Sequence, residues 1–481
     1  MEIPHESVQD VVSTSIVTHL LTVAGFLLAV FAIARLLSQK RPPSNTVAWL
    51  LVIVLIPYLG VPLFLLLGGR KLRRIMKHKL KLQPESAERT HTVSPLSHTA
   101  TALTIARSGG NPPVTGNSVR LLTEGSEAFT VFMDHIRAAQ HSIHIMTFIL
   151  GRDETGRALI ELLARRAREG VKVRLLLDAV GCMFSAHGFC NPLREAGGEV
   201  VRFLPVLPLA SRGTANLRNH RKIAVFDHAT AIVGGHNLAR DYMGPSHWKK
   251  RFADFGAVIS GPAAAELNEI FLADWSFASR QPGHLLHKDI PSNTETSHGS
   301  SVLQVVASGP DLAGDTLYEG LLAMIQDAES SIWIVTPYFI PDEVLLRSLI
   351  VKARAGRDVT LVLPARSNHR VTDFARRHYL RQLQRAGARI LLYTPGMLHS
   401  KAVIVDGRVG MLGSANFDLR SLFVNFEIGV VLYTHSDVEA MRAWAHGLFE
   451  HCRPPSPERR RRERLLGNLA EDISRLLAPL L

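Results

Sequence analysis

Two stretches of the chain carry the same nucleophilic, cationic and acidic side chains at the same spacing: His220, Lys222 and Asp227 in the first, His399, Lys401 and Asp406 in the second. Each reads His-x-Lys-x-x-x-x-Asp. With 22 histidines in the chain and Lys and Asp each near 5% of residues, chance supplies roughly 0.06 such matches, so a pair marks a duplicated site. The likeness continues downstream. Asn237 lies 17 residues after His220 in Gly-Gly-His-Asn, and Asn416 lies 17 residues after His399 in Gly-Ser-Ala-Asn. Asp254 then opens Asp-Phe-Gly-Ala-Val-Ile, as Glu427 opens Glu-Ile-Gly-Val-Val-Leu.

These residue types in duplicate suit attack on a phosphodiester. A neutral imidazole can attack phosphorus and form a phosphohistidine, while a second, protonated imidazole gives its proton to the leaving alkoxide. Lys222, Lys401, Asn237 and Asn416 would hold the non-bridging oxygens as negative charge grows. Asp254 and Glu427 can each accept the Nδ1 proton of a histidine, which leaves Nε2 directed at phosphorus. Side chains alternate along a strand, so His220 and Lys222 share one face, as do His399 and Lys401. Asp227 and Asp406 complete the motif and are counted with its catalytic set, yet their opposite parity and the Asp406-Gly407 turn signal argue for a structural part. No metal is expected: His141 and His144 have helical spacing but open a strand. The three cysteines, Cys182, Cys190 and Cys452, form neither a C-x-x-C pair nor a fully paired framework.

The elements that must position these groups also occur twice. Ser142–Thr147 alternates as a strand, Leu159–Arg168 has helical spacing and Val171–Leu177 reads as the next strand. The second half repeats the order with a strand at Ser331–Thr336, a helix at Val344–Arg354 and a strand at Val359–Leu363. Strands alternating with helices predict an α/β fold built twice, with mixed sheets flanked by helices.

At these residues the chain resembles the phospholipase D superfamily, whose signature is two HxKxxxxD motifs on a duplicated α/β fold, and within it the bacterial cardiolipin synthase family. The resemblance rests on Leu217-Arg-Asn-His-Arg-Lys222, Thr336-Pro-Tyr-Phe-Ile-Pro-Asp342, Leu398-His-Ser-Lys401, Gly413-Ser-Ala-Asn416 and Arg420-Ser-Leu-Phe-Val-Asn-Phe-Glu427. It implies transfer of a phosphatidyl group between phosphatidylglycerol molecules, giving cardiolipin and glycerol without a cofactor. A membrane-anchored phospholipase or nuclease would use the same site with water as acceptor. One departure is visible: where the family commonly has Trp-x-Asp-x-His, this chain reads Phe252-Ala-Asp254-Phe-Gly256.

Ile16–Ala34 and Val47–Leu67 are runs without a charge, each close to the roughly 20 residues that cross a bilayer as a helix. Both are expected as membrane helices; Pro57 and Pro62 open the alternative of a re-entrant second segment. Seven basic residues between Arg70 and Lys81 would stay cytoplasmic, placing the catalytic mass in the cytosol of a multi-pass protein of the bacterial inner membrane. The formal net charge of +13 agrees with anionic phospholipids as partners; nucleic acid is not expected. The predicted organisation is an anchor (1–82), a linker (83–117), a first catalytic domain (118–280), a second linker (281–301), a second catalytic domain (302–455) and a basic, amphipathic tail (456–481). Arg212, Arg218, Arg221 and Arg420 flank the motifs as candidates for a second headgroup phosphate. Phe203–Leu209 and Leu419–Phe426 are candidates for an apolar cleft wall.

Overall fold

Side chains at alternate positions bury one face of a strand, and in this chain most strands bury both faces, as their nearly continuous Val, Ile and Leu content requires. The computed structural model describes residues 8–37, 43–67, 99–205, 217–283, 286, 298–312 and 314–455. It divides into two units, the first holding residues 1–70 and the second the chain from residue 71 onward apart from 207–216.

In the first unit, helix Val8–Leu37 contains a 23-residue stretch, Ser15–Leu37, long and apolar enough to cross a bilayer. The second apolar run is not one helix. It forms Pro43–Leu55 and Pro57–Leu67, broken at Ile56 just before Pro57. At about 1.5 Å per residue each piece falls short of a ~30 Å hydrocarbon core. The pieces fold back on each other: Trp49 meets Phe64 edge to face at 5.5 Å, and a Cβ on Gly60 would lie 2.3 Å from the Val52 carbonyl oxygen. The expectation of two spanning helices is therefore corrected to one long apolar helix and a proline-broken helical hairpin.

The second unit is organised around one sheet. In the first half the strands are β1 (Val114–Leu122), β2 (Ser142–Thr147), β3 (Lys172–Asp178), β4 (Glu199–Phe203), β5 (Ile223–Phe226), β6 (Thr230–Gly234) and β7 (Gly256–Ser260). In the second they are β8 (Ser301–Ser308), β9 (Ser331–Val335), β10 (Phe339–Ile340), β11 (Asp358–Pro364), β12 (Arg389–Tyr393), β13 (Ala402–Val405), β14 (Val409–Gly413), β15 (Phe417–Asp418), β16 (Glu427–Leu432) and β17 (Cys452–Arg453). Fifteen of them form a single sheet in the order β17-β12-β11-β9-β13-β14-β16-β8-β1-β7-β6-β5-β2-β3-β4. Apart from β17 at one end, the order reads the same outward from the β8–β1 pair, as a duplication joined edge to edge demands. In each half a parallel trio (β2, β3, β4; β9, β11, β12) adjoins an antiparallel set.

The halves are thus fused in one unit. β1 begins at Val114 and helix Ala100–Arg107 precedes it, both inside the stretch read as the first linker; β8 begins at the last residue of the second. These segments pair or pack because their apolar residues face the shared core: Ile105 is buried against the second half. Phe255 stacks on Trp444 across the halves at 3.8 Å. Phe203 and Phe426 meet edge to face in that core, so they do not wall a cleft. The tail 456–481 and most of residues 83–98 and 287–297 lie outside the described residues.

The motif aspartates close the hairpins that follow the histidines. Asp406 and Gly407 have φ of 56° and 63°, and Asp227 and His228 have 49° and 60°. The Asp406 carboxylate accepts from the backbone N–H of Glu329, Ser330 and Ser331 at 2.7–2.8 Å. Asp227 likewise accepts from Gln140, His141 and Ser142 at 2.7–2.8 Å. Burial raises the Asp406 pKa, but these bonds outweigh it and hold the carboxyl well below the usual carboxylate range. An aspartate that binds three backbone donors fixes a turn, the structural part that its parity in the motif argued for. Asp406→Ala should lower stability by about 2–3 kcal/mol, read as a lower unfolding midpoint at neutral pH. Because its folded pKa is depressed, this contribution is present above about pH 4 and fades as pH falls towards the folded value. Wild-type stability in the variant would contradict the assignment.

Candidate active site

His220 and Lys222 lie in the extended segment that leads into β5, and His399 and Lys401 in the one that leads into β13. The histidines are not ladder residues of these strands, because their backbone N–H groups pair with the opposite half. His220 N–H donates to the Phe426 carbonyl at 2.9 Å, and Phe426 N–H donates to that of Arg218 at 2.9 Å. The mirror set is Ala253 N–H to the Met397 carbonyl at 2.8 Å and His399 N–H to that of Ala253 at 2.7 Å. Asn219 bridges Phe426, and Leu398 bridges Ala253. In both cases the residue before a histidine pairs with the residue before the other half's acid.

The carboxylates follow this crossed pairing. Glu427 of the second half sits 3.0 Å from His220 Nδ1, and Asp254 of the first half sits 2.6 Å from His399 Nδ1. Glu427 also accepts from Ser414 Oγ and, at 3.2 Å, from Asn425 Nδ2. Burial opposes ionisation of both acids, but the facing histidines and lysines win and hold both below their usual values. An ionised carboxylate takes the Nδ1 proton, so Nε2 of each ring is the reactive nitrogen.

Both imidazoles are buried and walled by aromatic rings. Phe148 packs on His220 at 5.0 Å, while Tyr242 and Phe252 lie 5.0 and 6.0 Å from His399. Burial lowers the pKa of His220, with Glu427 opposing and Lys222 and Lys401 adding to the fall. His399 is pushed down to about 3 by burial and Lys401, against Asp254. Each lysine thus acts on the other half's histidine as well as its own, so the four groups share one field. Burial brings Lys222 down to about 7 and Lys401 to about 8. Lys222 Nζ donates to the His220 carbonyl at 2.7 Å and lies over the Phe148 ring. Lys401 Nζ lies 2.8 Å from Nδ1 and 3.1 Å from Nε2 of His399 and also meets the His399 carbonyl.

The asparagines differ. Asn237 Oδ1 accepts from Ile149 N–H at 3.1 Å and its side chain also bonds Tyr242. Asn416 bonds Asp418, and its Oδ1 is buried without a partner. Arg221, a candidate for a second phosphate, is committed elsewhere. It donates to Asp274 at 2.7 Å, the Glu427 carbonyl at 3.0 Å and the Ser308 carbonyl at 3.0 Å, stapling the halves together. Arg218 pairs with Asp178 at 3.5 Å; Arg212 lies outside the described residues. His236 was not singled out by the sequence. It is buried, feels the charges of Asp254 and Lys401, and its Nδ1 lies 3.2 Å from where a Cβ on Gly256 would be. The glycine in the Phe-Ala-Asp-Phe-Gly segment, paired with the histidine of Gly-Gly-His-Asn, was the available signal.

With two neutral imidazoles, two cations of lowered pKa and two ionised acids, the cleft is arranged for nucleophilic substitution at an anionic phosphorus centre. The family described as "Cardiolipin synthase, PLD-like domain" matches residues 132–275 and 321–449, and one described as "Phospholipase_D-nuclease N-terminal" matches 27–69. A cardiolipin synthase of Geobacillus kaustophilus is 36% identical over 468 residues, covering 94% of this chain and 92% of that protein. Cardiolipin synthase 1 of Bacillus cereus is 33% identical over 479 residues, covering 96% and 92%. Among solved structures, phosphatidylserine synthase of Haemophilus influenzae superposes with a TM-score of 0.60 at 17% identity, over 79% of this chain and all of that one; this likeness bears on the fold.

Lysines that must be cationic to hold phosphate oxygens are charged below their lowered pKa values and lose charge above them. The alkaline limb of kcat/KM should accordingly fall between about pH 7 and 8, the values to which Lys222 and Lys401 are brought. A profile flat to pH 10 would contradict the burial of these ammonium groups.

Proposed function

The chain belongs to the cardiolipin synthase family, with phospholipase D-like domains, and from that premise we propose how its residues carry out the transfer. The activity is that of a phosphatidyltransferase making cardiolipin. The proposed donor and acceptor are both phosphatidylglycerol. In the first step Nε2 of His220 attacks phosphorus, the bond from phosphorus to the headgroup glycerol oxygen breaks, and His399 gives its Nε2 proton to that oxygen. Glycerol leaves and phosphatidyl-His220 remains. In the second step His399 takes the proton from a headgroup hydroxyl of another phosphatidylglycerol, whose oxygen displaces His220 from phosphorus. Lys222, Lys401, Asn237 and Asn416 hold the non-bridging oxygens.

The observation that carries this reading is the crossed carboxylate pairing, which presents two Nε2 atoms within one shared field. The order of roles has its own support. Both lysines donate to the carbonyl of their own histidine, and Lys401 Nζ in addition lies against the His399 ring, 2.8 Å from Nδ1 and 3.1 Å from Nε2. A histidine whose Nε2 is not met by an ammonium is the better nucleophile. Attachment to the membrane is proposed through Ser15–Leu37, with the broken hairpin re-entrant and the catalytic unit on the cytoplasmic side. Re-entry would place both basic segments on one face, as the positive-inside tendency favours, since a hairpin returns the chain to the side it left.

Transfer, as against hydrolysis, follows from a buried intermediate and a lipid alcohol concentrated at the membrane surface. Labelled phosphatidylglycerol should yield cardiolipin and free glycerol in equal amounts, and added glycerol should drive the reaction backwards. His220→Asn should abolish both turnover and the acid-labile adduct. An adduct still formed by His220→Asn would reverse the roles of the histidines, and phosphatidic acid as sole product would identify a hydrolase.

A further inference from the structure

Large apolar side chains are seldom left exposed on the catalytic unit. Among its described residues seven are: Val180, Met183, Phe184, Val344, Val351, Val371 and Phe374. Five of the seven fall on two segments, and the duplication makes those segments equivalent. Val180, Met183 and Phe184 follow the end of β3; Val371 and Phe374 follow the end of β11. β3 and β11 are the parallel neighbours of β2 and β9, the strands that pair with β5 and β13. Met146 near the end of β2 pairs with Ile223 at the start of β5, and Val335 at the end of β9 pairs with Ala402 at the start of β13. The two segments therefore leave the sheet at the edge where both histidines enter it.

Local contacts bring each segment to its half of the cleft. In the first, the Phe148 carbonyl accepts from Cys182 Sγ at 3.2 Å, and the Phe148 ring packs on His220. In the second, Tyr338, which interacts electrostatically with Tyr242 beside His399, donates to Asn368 and packs on His369 at 5.5 Å. Phe184 is 74% exposed, close to the value for the outward residues of the apolar helix. Exposed Arg366, Arg370 and Arg377 surround Val371 and Phe374, and Arg377 lies 4.6 Å over the Phe374 ring. Apolar tips, flanked in the second segment by exposed arginines, match an anionic bilayer, with the tips among acyl chains and those guanidinium groups at the phosphates.

We propose that these two rim segments are a membrane-docking surface of the catalytic unit, inserting Met183 and Phe184 on one side of the cleft and Val371 and Phe374 on the other into an anionic lipid surface. The proposal rests on reading the site as one that takes lipid phosphodiesters. Docking at both lips would set the cleft mouth on the headgroup layer, so a lipid could reach the histidines with its acyl chains still in the bilayer.

The test uses the full chain in vesicles of phosphatidylglycerol and phosphatidylcholine. Phe184→Cys, Phe374→Cys and, as control, Val351→Cys are each made with Cys452→Ser and carry a nitroxide. At positions 184 and 374 the label should be relaxed by oxygen more than by a water-soluble nickel chelate, with the reverse at 351. This reading of depth needs no turnover, so it stands or falls apart from the proposed reaction. Alongside it, Phe184→Asp with Phe374→Asp should raise the KM for bilayer phosphatidylglycerol about tenfold and leave kcat on a water-soluble short-chain analogue unchanged. Labels at 184 and 374 as open to nickel as the one at 351 would overturn the proposal, as would an unchanged bilayer KM.

Discussion

Each reactive histidine takes its carboxylate partner from the other half of the duplication, and the rest of the catalytic unit is arranged around that exchange. A buried carboxylate costs several kcal/mol unless it is paired and hydrogen-bonded. Glu427 meets the cost with His220, Ser414 and Asn425; Asp254 meets it with His399 and the N–H of Phe255. Neither arrangement exists within one half. The continuous sheet, the β1–β8 junction and the Arg221 staple serve to hold the halves in that register. Close approach at the acid is also required: a Cβ on Gly235 would lie 2.0 Å from Asp254 Oδ1.

The charge balance of the site bears on how, in the proposed mechanism, one of two histidines of lowered pKa serves as the acid. Burial is the main cause that keeps both imidazoles neutral, and Lys222 and Lys401, when charged, add to it against Glu427 and Asp254. Entry of a phosphodiester adds one negative charge to a dry, balanced site. The least costly compensation is uptake of one proton by an imidazole, the state that general acid catalysis needs. In the proposed mechanism the substrate thereby prepares its own leaving-group acid, and burial, which keeps the free imidazoles unprotonated, makes the imidazolium so formed a stronger acid.

Much of this was legible in the sequence because duplication acts as an internal control. The identical spacing around His220 and His399 singled out the side chains that the fold gathers into one buried site, and apolar runs located β2, β3, β9 and β11 to within a residue or two. What could not be read was pairing between distant segments. Nothing local in Asp254 or Glu427 says which histidine it faces, since the bridge from Asn219 to Phe426 spans the two halves. The second apolar run has the length of a membrane helix; Pro57 and Pro62 left a re-entrant form open, and the contact of Trp49 on Phe64 decides for a reversal at Pro57. Asp227 and Asp406 were placed in the catalytic set by motif membership, whereas their parity pointed correctly to the turn.

The claim that both halves build one phosphate site is tested most directly by a crystal structure of the protein with orthovanadate, which adopts the five-coordinate geometry of phosphoryl transfer. The account predicts a single vanadate per chain, bonded to Nε2 of His220 and hydrogen-bonded to Nε2 of His399, with Glu427 and Asp254 still on the respective Nδ1 atoms. Two vanadates, each bound by the histidine and lysine of one half alone, would contradict it.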